Sequence, residues 1–376
     1  ANARDKMPVV ILIVKRTITP AMSAEEIWAA LCAMEGSELP ELKKYSTRPG
    51  QTVFDHVHGL IAFAAELNRA INMADAVQAE AAAAKVVASR RDTRPDATGK
   101  PSVERLDPAK IRAFVGYYRD IAKGPDGARK LFLLRLALAM HDIGKVENKG
   151  EDRQASYKHA APVIEKLRKD GIIIDEEARL VLALIYMHDT FNTIHFGETL
   201  PSDIKRYLKA ANVDKSRYYE LAPLLYIFDV GSVDRGLLSD SHLANAVYLS
   251  NPANVENLIT NWDVIRFYKG FCGEGNKIID FSAPRDSTES FNLDPALNSL
   301  SSQDKEHLSK FLREKAVFTG QAIFIFRRMN ELARSDPDKP GALVKFLLLM
   351  EQVLAANPSI KIIHFMPTRD RNTKEF

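Results

Sequence analysis

Three strongly apolar segments of this sequence each run directly into an imidazole or a carboxylate. LFLLRLALAM ends on His141-Asp142, ARLVLALIYM on His188, and LAPLLYIF on Asp229. A helix that apolar is buried nearly all round, and a polar or charged group at its end is costly unless it is paired or coordinates a metal. Repeated three times, the pattern is that of a metal site inside a helix bundle, with ligands projecting inward from several helices. His56 and His159 complete the candidate set. Imidazole plus carboxylate without thiolate suits iron, manganese, cobalt or nickel, and carboxylates also admit magnesium. The six residues His56, His141, Asp142, His159, His188 and Asp229 are too many for one open catalytic ion. Two divalent ions sharing a bridging carboxylate accommodate them, with a bridging hydroxide as nucleophile.

Several positions compete for these roles. His58 stands two residues from His56 and points nearly the opposite way on a helix; Leu60 and Ala64, at +4 and +8 from His56, favour His56 as the inward residue. Asp234 competes with Asp229, but it follows a glycine and leaves the apolar run. His159 and His188 also admit a plainer reading, as ordinary histidines beside a four-ligand site. Lys145 lies three residues after Asp142, one turn on and on the same face. Asp189 reads as a solvated carboxylate or one that orients a histidine. Arg153 and Lys158, between the second and third ligand segments, read as surface charges within reach of a bound phosphate. His195, His242, His307 and His364 have no partner in the sequence.

The elements that must position these groups are mostly helical. Ser23-Ala24-Glu25-Glu26 is a capping box opening a helix with Ile27, Leu31 and Met34 at helical spacing. A long alanine-rich pattern over 51–87 breaks once near Asn72. Residues 88–107 are polar, with two prolines and a glycine, and read as an exposed loop or insertion. Its basic residues, Arg90, Arg91, Arg94 and Lys100, are diluted by Asp92, Asp96 and Glu104. Helical patterns resume at 111–121, 131–140, 160–169, 176–187, 201–211 and 221–228. A second polar stretch, 283–304, precedes two further helices, one after Ser301 and one from Pro340 to Asn357. The short β-branched run 9–14 (VVILIV) and 360–365 (IKIIHF) read as strands that pair and bring the ends together. The expected organisation is an N-terminal strand and helix (1–50), a helical metal-binding domain (51–250, with an insertion near 88–107) and a C-terminal helical region (251–376). The class is mainly α.

Composition bounds the rest. Apolar residues make up 46% and charged residues 27% of the 376, an ordinary globular balance. The 52 basic and 49 acidic residues leave a net charge of +3, which does not favour a nucleic-acid partner. Two cysteines, Cys32 and Cys272, imply no disulfide framework and fit reduced thiols in a cytoplasmic protein. The 9–14 run is too short for the core of a signal peptide, and no stretch approaches the length of a membrane span.

The order H…HD…H…H…D resembles the HD superfamily of metal-dependent phosphohydrolases. Thr52-Val53-Phe54-Asp55-His56 resembles its first-histidine motif, and His141-Asp142-Ile143-Gly144-Lys145 matches its HDIGK segment in full. His159 with APVIEKL resembles the third helix, and 177–188 the fourth; the likeness covers about half the chain. The resemblance implies an HD-type helical bundle in which His56, His141, Asp142 and Asp229 hold one ion. It further implies that His159 and His188 hold a second, with Asp142 bridging, and that Lys145 binds the substrate phosphate. The implied activity is a phosphomonoesterase or phosphodiesterase acting on a nucleotide or similar small phosphate through a metal-bound hydroxide. Three features depart from the family. The stretch between His56 and His141 is unusually long, and the glycine-tyrosine-proline signature of the cyclic-di-GMP branch is absent after His188. The glutamate-aspartate pair of the branch that hydrolyses guanosine tetraphosphate is not at its expected place either. The same ligand order also occurs in HD-type di-iron oxygenases, and a nucleotide-sensing regulatory module is a third reading.

Overall fold

A computed structural model describes residues 18–48, 50–93, 105–147, 153–191, 201–233 and 236–261, with short pieces at 301–303, 349, 352–353 and 355–357. The chain is a helical bundle. The first helix, α1 (Ala24–Cys32), opens on the expected capping box. The Ser23 hydroxyl accepts the Glu26 N–H, and the Glu26 carboxylate accepts the Ser23 N–H. Its Ile27, Trp28 and Leu31 enter the core. A 3₁₀ turn (Leu39–Lys44) leads into an antiparallel pair, β1 (Ser46–Arg48) and β2 (Gln51–Thr52), too short for its alternation to be read from the sequence.

The second helix, α2 (Val53–Ile71), starts on Thr52, whose side chain accepts the Asp55 N–H. It ends where the sequence suggests, with Asn72 as its C-cap, before α3 (Ala76–Ala88). Next come α4 (Pro108–Lys123), α5 (Gly127–Met140), a 3₁₀ turn (Ile143–Glu147) and α6 (Arg153–Lys169). The remaining described helices are α7 (Asp175–Tyr186), α8 (Pro201–Ala210), α9 (Lys215–Val230), α10 (Asp240–Leu249) and α11 (Pro252–Asn261).

The organising helix is α5. Every residue from Leu131 to Met140 is buried except Arg135, and α5 packs on α1, α2, α4, α7 and α9. Each fully buried leucine or phenylalanine contributes about 1.5–3 kcal/mol, so this helix is held in place from all sides. α9 is buried nearly as completely, from Tyr218 to Phe228. One apolar core runs from Ile18 to Val255, and α1 shares it with the helices that follow residue 50.

The start of the polar 88–107 stretch is tied across the bundle. The Leu238 N–H donates to the Arg90 carbonyl, and the Asp92 N–H to the Leu238 carbonyl, both at 3.0 Å. Gly236 makes this crossing with φ +106, where a Cβ would lie 2.3 Å from the Arg90 oxygen. The strands expected at 9–14 and 360–365 lie outside the described residues, as does most of the two C-terminal helices. No described helix is long and apolar enough to cross a membrane.

Gly144 sets how closely the second 3₁₀ turn approaches α6. Its N–H donates to Ser156 Oγ at 3.1 Å, and a Cβ there would stand 2.2 Å from the Ser156 nitrogen. Gly144→Ala must push two backbones apart and should cost about 1–3 kcal/mol. Gly116 lies inside α4 with open space where its Cβ would be, so Gly116→Ala should instead stabilise by up to about 1 kcal/mol. Chemical denaturation of both variants checks the contrast, and equal effects would contradict the close packing at Gly144.

Candidate metal centre

The helix ends deliver the ligands. His56 lies in the first turn of α2, His141 is the C-cap of α5, His188 stands two residues beyond α7, and Asp229 is in the last turn of α9. Three helix C-termini therefore meet here, each carrying the negative end of a helix dipole, which favours a cation in their midst. His56, His141, Asp142 and His188 are all at most 6% exposed.

Their metal-facing atoms converge. His56 Nε2 lies 2.9 Å from Asp229 Oδ1 and 3.9 Å from Asp142 Oδ2. His141 Nε2 lies 3.7 Å from Asp229 Oδ1 and 3.6 Å from Asp142 Oδ2. His188 Nε2 lies 3.6 Å from Asp142 Oδ1. One ligand atom each from His56, His141 and Asp229 falls within 4.8 Å of the others, a spread that fits one ion. Asp142 thus faces all three imidazoles, and Lys145 Nζ closes on its Oδ2 at 2.7 Å.

The opposite ring nitrogens fix the tautomers. His141 Nδ1 lies 2.9 Å from the Leu138 carbonyl, His188 Nδ1 2.8 Å from the Ile185 carbonyl, and His56 Nδ1 3.3 Å from the Ser232 carbonyl. A carbonyl oxygen only accepts, so each Nδ1 carries a proton and donates it. Each Nε2 is left to face the centre. Metal-binding histidines are oriented by this kind of second contact. His141 Nε2 is buried with no hydrogen-bond partner, a loss that a protein rarely sustains without a ligand.

The electrostatics have the same sense. Burial alone would raise the pKa of Asp142, yet His141, Lys145, His188 and His56 bring it down to about 2. Burial raises Asp229 as well, and the imidazoles of His141, 3.7 Å away, and His56, hydrogen-bonded to it, hold it well below the usual carboxylate range. Burial opposes charge on His188, but Asp189, Asp142 and Asp229 lift it to about 9. His56 is raised too, with Asp229 and Asp142 outweighing burial. Without an ion, protons on His56 and His188 offset the carboxylates. With the imidazoles neutral, Asp142, Asp189 and Asp229 against Lys145 leave two excess negative charges, the charge of one divalent ion. Ion binding therefore displaces protons.

His159 is not brought to this cluster. Its Nε2 bonds Glu147 Oε1 at 2.8 Å and its Nδ1 bonds Glu38 Oε2 at 2.5 Å, so both nitrogens face carboxylates. Arg153 opens α6, where its charge acts on the buried Tyr218. His58 is exposed while His56 is buried. His242 serves as part of the N-terminal cap of α10, with Nδ1 3.0 Å from the Ser239 nitrogen. Asp234, His195, His307 and His364 lie outside the described residues.

Asp189 has a different place from the one its sequence context suggests. It lies 3.1 Å from His188 Nε2, the metal-facing nitrogen, and not beside Nδ1. The orienting contacts are made by backbone carbonyls instead. Glu38 and Ser232 carry no sequence signal for their parts: Glu38 is 121 residues from His159, and Ser232 acts through its carbonyl.

Comparison with protein-family models, curated proteins and solved structures finds no match for this chain.

His141→Ala or Asp229→Ala should weaken Mn²⁺ binding by about 10- to 100-fold or more, and His159→Ala by less than about threefold. Calorimetric titration of the full chain checks this. Wild-type affinity should strengthen as the pH rises toward about 9, where His188 gives up its proton. An equal loss in His159→Ala would put that histidine on the ion.

Proposed function

We propose that this chain is a metal-dependent phosphohydrolase of the HD type, acting on a nucleotide or similar small phosphate ester. The observation that carries the reading is the convergence of three carbonyl-oriented imidazoles on Asp142 and Asp229, with Lys145 bonded to Asp142. His56, His141, Asp142 and Asp229 are the residues that would hold the ion, with His188 and Asp189 beside them. A divalent ion in that setting polarises a phosphoryl oxygen and makes bound water a nucleophile at neutral pH.

The chain's own groups supply the rest. Lys145 is 28% exposed at its side chain while its Nζ touches a nearly buried carboxylate. It therefore spans the buried centre and the surface from which a substrate arrives. Burial opposes its charge, but Asp142 raises its pKa, so it stays cationic at neutral pH. An ammonium so placed offsets negative charge developing on the phosphoryl oxygens. Asp189, 3.1 Å from His188 Nε2, is held below the usual carboxylate range by that imidazole against the effect of burial, and is placed to accept from a water at the centre.

His159, which the resemblance places on a second ion in the hydrolase and oxygenase readings alike, is bonded to Glu38 and Glu147 instead. What favours the hydrolase is Lys145, an ammonium at the rim of the centre that suits a phosphate.

The test is phosphate release from a panel of nucleotides with added Mn²⁺. Lys145→Met should keep the ion and lose about 10²–10³-fold in kcat. A wild-type chain with bound ion and no release from any phosphate ester would contradict the assignment.

A further inference from the structure

Arg135 is the one charge in the apolar run of α5, and the metal centre makes no use of it. Its guanidinium is drawn into a cleft between α1, α2, α4 and α5, where Nη1 donates to the Met22 carbonyl at 2.7 Å. Leu131, Leu134, Leu138 and Phe228 form the apolar walls of this cleft. Tyr118 also lines it, 2% exposed and edge-on to the Phe228 ring. Among the described residues, nothing hydrogen-bonds the Tyr118 hydroxyl, so it is open to a group that enters the cleft and accepts from it.

The charge at the mouth is also one-sided. Arg69 Nη1 pairs with Glu25 Oε1 at 2.9 Å. Arg135 and Arg69 against Glu25 leave one positive charge uncompensated. The cavity measures about 50 Å³. One water needs roughly 10–15 Å³, so the cleft takes about three to five water-sized groups, the size class of a short-chain carboxylate.

We propose that this cleft is a second binding site, separate from the metal centre, for a small carboxylate with a short aliphatic chain. The planar guanidinium fork of Arg135 matches a carboxylate, the Tyr118 hydroxyl donates a further hydrogen bond, and the leucine and phenylalanine walls take the alkyl chain. The apolar walls disfavour sulfate or inorganic phosphate, which carry charge on every face. The site does not depend on the hydrolase reading. Its floor does adjoin the centre, because the Leu138 carbonyl that accepts from His141 Nδ1 belongs to one of its wall residues.

A carboxylate also binds metal ions, so the test must separate the two sites. Sodium butyrate is titrated into the purified full chain by calorimetry, with octanoate and sulfate as comparisons. Butyrate should bind, and octanoate and sulfate should not. Arg135→Met should weaken binding at least tenfold and Tyr118→Phe at least threefold. Ala65→Leu, which fills the cleft without touching a polar group, should abolish it. His141→Ala, which removes a metal ligand, should leave butyrate affinity unchanged. The proposal is overturned if butyrate does not bind, if Ala65→Leu binds as the wild type does, or if His141→Ala loses butyrate.

Discussion

Three hydrogen bonds from histidine Nδ1 to backbone carbonyls hold the centre in its present form. Each carbonyl belongs to a helix end or the turn just after it: Leu138 in α5, Ile185 in α7 and Ser232 after α9. A carbonyl at a helix C-terminus has lost its usual partner four residues on, so His141 and His188, each three residues after its carbonyl, satisfy it at no cost to the helix, while His56 reaches Ser232 from across the bundle. The same bond points the other ring nitrogen away from the helix and into the bundle. Backbone geometry thus fixes both the tautomer and the direction, and it does so before any ion is present.

Everything around those bonds serves to keep them rigid. α5 and α9 are apolar nearly all round, so neither can roll without exposing leucines, and the ligands on their ends inherit that fixity. Gly144 lets the turn after His141-Asp142 lie against α6, which keeps Lys145 over Asp142. The charged groups in this apolar setting are stable only as a balanced set. Protons on His56 and His188 provide part of that balance, and a metal ion held by the cluster would provide it in their place, so its affinity would be coupled to theirs.

The parts of this that were legible in the sequence are those written in side-chain pattern. The apolar runs ending in His141-Asp142, His188 and Asp229 announced buried helices with polar ends, and the +4 and +8 series from His56 separated it from His58. The capping box at Ser23 and the break near Asn72 marked two helix limits, whereas the cap at Thr52 went unread. The features that escaped notice depend on the backbone or on distance along the chain. The carbonyls that orient the imidazoles have no residue type. The short pairing of β1 with β2 leaves no periodicity to detect. His159 kept its place in the ligand order while its partners, Glu38 and Glu147, are visible only in three dimensions. Asp189 was readable as a carboxylate near a histidine, but which ring nitrogen it faces was not.

The central claim is that the convergent Nε2 atoms and carboxylates form a metal site. The most direct measurement is anomalous diffraction at the manganese edge from crystals of the full chain soaked in Mn²⁺. The account predicts a peak within coordination distance of His56 Nε2, His141 Nε2, Asp142 and Asp229. A peak located instead between Glu38, Glu147 and His159, or no peak at all, would contradict it.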